Sequence, residues 1–121
     1  MLRLPLLLLL SSTPWIIPAA DLKGLKNPVP AAQKKASIER GQALYVTECA
    51  GCHGPGGKGD GPDGMYFTTP PTDLTSKVVR SQADAVLFQK LTQGRGDMKG
   101  YEKTYDAAPR WDLVNAIRAL K

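Results

Sequence analysis

Cys49-Ala50-Gly51-Cys52-His53 contains both cysteines and the single histidine of this 121-residue chain. Two thiols three residues apart, followed at once by an imidazole, make the C-x-x-C-H pattern of covalent haem attachment. Each thiol can add across one vinyl group of a haem, giving haem c with two thioether bonds, and the imidazole beside the second thiol is then held under the iron. No other cysteine or histidine competes for a role, so the chain carries one covalent haem or none. Cys49 and Cys52 are the expected attachment points, and His53 is the expected iron ligand.

Other readings of the five residues are weaker. A structural zinc site takes four ligands, normally cysteine and histidine, and the chain has three such residues in total. A thioredoxin-like redox pair expects a βαβ context, whereas the flanks here are helix-like on one side and glycine-rich on the other. A local Cys49–Cys52 disulfide is chemically open, but it leaves His53 without a purpose.

Outward from the motif, Ser37 reads as the N-cap of a helix over residues 37–49, with Ile38, Gly41, Leu44 and Tyr45 on its inward face. A glycine inside a helix costs ~1 kcal/mol; close approach of a second helix is the expected compensation at Gly41. Residues 54–64 hold six glycines in eleven positions. They read as loop, because no strand and no Gly-Lys-Ser/Thr make them a phosphate cradle. Residues 68–74 continue as extended, proline-stiffened chain. Ser81, with Asp84 three residues on, resembles a capping box opening a helix that Gly94 stops. A last helix starts around Ala108-Pro109, with Trp111, Val114, Ile117 and Arg118 at helical spacing. The expected fold is all-α, a small helical domain wrapped around one haem that completes a thin core.

Residues 1–20 read as an export signal. Met1-Leu2-Arg3 supplies a positive start, an apolar run follows, and Pro18-Ala19-Ala20 gives a small-residue end. Cleavage is expected after Ala20; a retained signal would be a weak tether. Residues 21–36 read as a flexible arm, and residues 37–121 as the domain. The net charge of +5 is concentrated in that arm, where four lysines face Asp21. The domain is nearly neutral, which gives no support to a nucleic-acid partner.

The sixth iron position decides the chemistry. A thioether opposite histidine raises the potential and suits electron transfer, whereas an open position suits gas binding or catalysis. Met98, in Gly94-Arg95-Gly96-Asp97-Met98-Lys99-Gly100, lies in a glycine-rich loop between two helices and is the expected ligand. Lys99 is its competitor, but it would have to lose a proton to bind. Met65 reads as packing at the haem edge. A ligating imidazole usually gives its other N–H to a carbonyl; Pro62 is the expected acceptor, with Pro55 second.

These residues resemble the small class I monohaem cytochromes c of bacteria. The resemblance rests on Gly41-Gln42-Ala43-Leu44-Tyr45 before the attachment motif, Gly59-Asp60-Gly61-Pro62, Pro71-Thr72-Asp73-Leu74, the loop around Met98, and Arg110-Trp111-Asp112-Leu113-Val114. It covers residues 37–121. It implies a mostly α domain whose first and last helices cross through small and aromatic residues, with haem joined after export. Lys99 departs from the family, which commonly has proline after the ligand methionine. The lead-in at residues 101–108 is also unusual.

The expected function is one-electron transfer by a covalent haem c with His53/Met98 ligation of the iron, in the periplasm, between a redox protein donor and acceptor. A membrane respiratory or photosynthetic complex is one such partner. No small-molecule substrate and no catalytic residue is expected; Asp60, Asp63 and Asp73 read as solvated loop carboxylates. The alternative is a haem subunit bound to a larger respiratory or dehydrogenase complex. A gas sensor or peroxidase would require an open sixth site.

Overall fold

The computed structural model describes residues 14–121. The charged start and apolar run of the expected export signal, at 1–13, lie outside the described residues. Six helices follow in order: α1 (Ala19–Leu22), α2 (Lys34–Glu48), α3 (Ala50–His53), α4 (Lys77–Arg80), α5 (Asp84–Gln93) and α6 (Ala107–Arg118). Single 3-10 turns occupy Ala31–Gln33 and Pro62–Tyr66. Among the described residues the one β-type pairing is the isolated bridge between Arg95 and Met98. The all-α expectation holds.

Two helix starts differ from the sequence reading, and a third agrees with it. α2 begins at Lys34 rather than Ser37, because the 3-10 turn after Pro30 already sets the helical direction. Ser37 is therefore not a cap but a fully buried residue inside the helix. The helix expected from Ser81 is two helices: Ser76 caps α4 by accepting from the Val79 N–H, Ser81 closes it, and α5 starts afresh at Asp84. α6 begins at Ala107, with Pro109 in its first turn, where a missing N–H costs nothing.

The core is where α2 crosses α6 and α5 packs alongside. Leu113 and Val114 are wholly enclosed, joined by Tyr45, Val79, Leu87, Leu91, Trp111 and Ile117. Phe88 stacks on Trp111 with centroids 4.0 Å apart. Gly41 sits at the crossing itself: a Cβ there would overlap the Asp112 backbone carbonyl and lie 2.8 Å from the Ala116 Cβ. The compensation expected for a mid-helix glycine is thus backbone-to-backbone contact.

Beside this apolar contact runs a polar seam. Asp112, 6% exposed, accepts from Ser37 Oγ at 2.5 Å, from Arg40 Nε at 3.0 Å and from Arg40 Nη2 at 3.2 Å. Asn115 donates to Ser37 Oγ at 2.8 Å and accepts from Asn27 at 2.7 Å and from Lys34 at 3.3 Å. Asn27 also donates to Asp84 at 3.0 Å, and Arg118 meets the other oxygen of Asp84 at 2.8 Å. Arg118 further donates to the carbonyls of Val79, Arg80 and Gln82. Every buried side-chain polar atom among the described residues has a partner, which is the condition under which a buried polar network is tolerable.

Residues 21–36, expected as a flexible arm, lie along the domain. Leu25 and Val29 pack against the core, and Asn27 joins the seam. Upstream, Ile17 is buried, and Trp15 lies under the cations of Lys90 (5.2 Å) and Arg95 (5.9 Å). α1 is held on α5 by Gln89 and Gln93, which donate to Asp21. No helix among the described residues is long and apolar enough to cross a membrane.

The seam predicts a pH response. Burial alone would raise the Asp84 carboxyl, but hydrogen bonds from Asn27 and Arg118 and the charges of Arg118 and Lys34 outweigh it and hold it below its ordinary value. A carboxylate depressed in the folded state adds stability that is complete above the unfolded value of ~3.9 and is lost as pH falls through the folded one. Asp84→Asn should therefore lower the melting temperature at pH 7. The gap to wild type should narrow when both are melted below pH 4.

Candidate haem c site

α2 ends at Glu48, and the chain breaks at Cys49 before the single turn of α3 carries Cys52 and His53 round to the next element. The break is fixed from outside. Tyr45 Oη donates to the Gly54 carbonyl at 2.6 Å, Tyr101 Oη to the Glu48 carbonyl at 3.1 Å, and Tyr105 Oη to Glu48 Oε1 at 2.7 Å. Burial, aided by the neighbouring Cys49 and Asp60, pushes the Tyr45 hydroxyl up to about 12, so it stays a donor. The lead-in to α6 that looked irregular in sequence thus anchors the attachment motif. Its signal was there in the two tyrosines four residues apart.

The glycine-rich loop folds back under α3 and satisfies its open carbonyls. Gly59 N–H donates to the His53 carbonyl at 2.8 Å, and Gly61 N–H to the Cys52 carbonyl at 3.1 Å. A Cβ at Gly61 would stand 2.6 Å from that same carbonyl oxygen. Close approach is why glycine is needed there.

Both cysteines are free. Cys49 is part of the core, and burial, with Glu48 and Cys52 nearby, pushes its thiol up to about 12. Burial and Asp63 raise Cys52 as well. Redox-active thiols ordinarily show the opposite shift. Among the described residues no three His, Cys, Asp or Glu side chains are grouped to hold a metal ion.

His53 Nδ1 lies 2.9 Å from the Thr72 carbonyl. As a donor there, the ring is fixed in the tautomer whose Nε2 is left to ligate. The acceptor is Thr72, not Pro62 or Pro55. Pro62 opens the 3-10 turn Pro62–Tyr66, while the extended 70–74 segment brings its carbonyl alongside the ring. Met98 is half-buried against the core cluster that contains Cys49, at the end of a tight turn in which it and Arg95 exchange backbone hydrogen bonds of 2.9 and 3.0 Å. Met65 is 77% exposed. Two free thiols, an imidazole with one nitrogen already occupied, and a thioether against the same core fit a covalent haem.

Comparison with known proteins agrees. Residues 36–115 match the family described as cytochrome c oxidase, cbb3-type, subunit III. The chain belongs to that family. The Azospirillum brasilense cbb3-type cytochrome c oxidase subunit CcoP is 35% identical over 86 residues, covering 70% of this chain and 29% of that protein. The chain thus spans less than a third of the length of this curated relative. A structure of the Kuenenia stuttgartiensis reducing HAO-like protein complex is similar at a TM-score of 0.65 and 25% identity, over 79% of this chain and 49% of that one. Cytochrome CL of Methylophaga aminisulfidivorans is similar at 0.52 and 25%, over 70% of this chain and 55% of that one. The KustC0563 c-type cytochrome, at 20% identity and a TM-score of 0.55, shares the fold over 67% of this chain and 96% of its own.

This cbb3-type cytochrome c domain is therefore a class I-like monohaem cytochrome c: an all-α electron-transfer unit with covalent haem c and its iron, and not itself a catalytic enzyme. Domains of this type act outside the cytoplasm.

Proposed function

We propose that Cys49 and Cys52 would hold the haem, that His53 and Met98 would ligate its iron, and that the protein is an exported one-electron carrier. When bound, the haem supplies Fe(III)/Fe(II) exchange. The chain's own residues fix the imidazole through Thr72 and keep the thioether against the core. The observation that carries the ligand reading is the packing of the half-buried Met98 on the core cluster that includes Cys49. A soft sixth ligand favours ferrous iron and blocks other ligands.

Met98→Ala should lower the potential and let the reduced protein bind carbon monoxide, while Met65→Ala should change little. Wild type should stay low-spin and ignore carbon monoxide at neutral pH. Carbon monoxide binding by wild type, or a native spectrum in Met98→Ala, would replace the carrier reading with a gas sensor or peroxidase.

The protein works in the periplasm, with residues 1–20 as its export signal. Cleavage after Ala20 removes Trp15 and Ile17 and leaves Leu25, Asn27 and Val29, which hold residues 21–36 on the domain. Its partners are a redox protein donor and acceptor. A second reading, a haem subunit bound to a respiratory complex, is favoured by the likeness to CcoP and to the HAO-like complex. Purification of the native protein separates the two: a carrier comes alone, and a subunit comes in fixed ratio with its enzyme.

A further inference from the structure

We propose that Asp73 is a positioning residue for the imidazole of His53, acting through the Thr72 carbonyl and so tuning the iron's potential. This rests on His53 being the iron ligand. Thr72 has no ring to stiffen its carbonyl, and Pro70-Pro71 restrain it from one side only. The other side is held by side chains. Asp73 Oδ1 accepts from the Thr75 N–H at 2.8 Å and from the Thr75 hydroxyl at 2.7 Å. Lys58 Nζ donates to that hydroxyl oxygen at 2.7 Å. Leu74 N–H donates to the Gly57 carbonyl at 2.6 Å, in the loop whose Gly59 N–H takes the His53 carbonyl. Arg80 completes the frame, donating to the Thr75 carbonyl at 2.8 Å and to the Leu120 carbonyl at 2.6 Å, so the segment is fastened to the end of α6.

Asp73 is the hub of this frame. The Thr75 hydroxyl and N–H hold its carboxyl below the ordinary value, so it remains a charged acceptor across neutral pH. It touches neither His53 nor the haem pocket's ligands. Its effect passes through the direction of one carbonyl. A firm Nδ1–H to carbonyl bond makes an imidazole more basic and favours ferric iron, so loosening the carbonyl should raise the potential.

The test is redox titration of the haem-loaded protein with three substitutions. Asp73→Ala removes acceptor and charge, Asp73→Asn keeps the acceptor oxygen without the charge, and Thr75→Val removes the hydroxyl without changing charge. The expected result is a rise for Asp73→Ala of about threefold in the ferrous to ferric ratio at fixed poise, ~28 mV at 59 mV per tenfold. Thr75→Val should rise in the same direction, and Asp73→Asn should lie nearer wild type. Exchange of the His53 Nδ1 proton, followed by NMR, should quicken in the order of the potentials. Equal shifts for Asp73→Ala and Asp73→Asn with none for Thr75→Val would make Asp73 a bare charge and overturn the proposal. Lower melting temperatures at an unchanged potential would make it a fold element only, with the same consequence. A wild-type spectrum without a bound imidazole would overturn the ligand reading itself, and this inference with it.

Discussion

Gly41→Val should yield little or no folded, haem-loaded protein. The Cβ of any residue at this position overlaps the Asp112 carbonyl and crowds the Ala116 methyl group. Neither neighbour can yield locally, because both belong to the middle of α6, where Leu113 and Val114 are wholly enclosed. The helices must separate, and separation also stretches the bonds of Ser37 and Arg40 to Asp112. Ordinary overpacking costs ~1–3 kcal/mol. Gly41→Ala, the mildest change, should reach the upper end of that range and lower the melting temperature by roughly 10–20 °C. Gly56→Ala is the control: its Cβ meets nothing nearer than the Lys58 side chain at 3.8 Å, so its melt should match wild type closely. Equal melts for Gly41→Ala and wild type would mean that α2 and α6 do not meet at this residue.

The crossing was legible in the sequence because a mid-helix glycine is costly unless something needs its missing side chain. The attachment motif was legible for a different reason: covalent chemistry imposes a fixed spacing. What the sequence concealed was long-range hydrogen bonding. Asn27 in a Pro- and Lys-containing stretch looks like linker composition, yet its amide reaches Asp84 and Asn115, residues 57 and 88 positions away. Ser37 looked like a cap because serine at a helix start usually is one; its hydroxyl is instead sequestered by Asp112 and Asn115 from another helix. A proline carbonyl, held by its ring, is the acceptor a local pattern suggests for His53. The structure obtains stiffness at Thr72 from neighbouring side chains, which no local pattern reports.

Replacing both Cys49 and Cys52 by alanine should abolish covalent haem and, with it, cooperative folding. Among the described residues the core is small: ten of them form its buried cluster, and one is Cys49 itself. The 54–76 region adds little to that cluster. Met65 and Tyr66 are 77% and 83% exposed, and the region is held by turn hydrogen bonds rather than by apolar burial. Hydrophobic burial is worth ~25 cal/mol per Å² of apolar surface, and a domain near 100 residues has only ~5–15 kcal/mol to lose in total. A flat apolar group fastened at Cys49 and Cys52, as proposed, would give the exposed side chains something to cover. Without it, the glycine-rich loop regains conformational entropy at each of its six glycines, and glycine has more to regain than any other residue. The double variant, produced under conditions where wild type matures fully, should show reduced helical circular dichroism, no sharp thermal transition and binding of a hydrophobic dye. A single substitution at Cys52, half-buried and outside the core cluster, should be milder than one at Cys49, because it removes a linkage without opening the core. A native-like spectrum with a cooperative melt in the double variant would mean that the helices alone carry the fold, and that the haem is cargo rather than core.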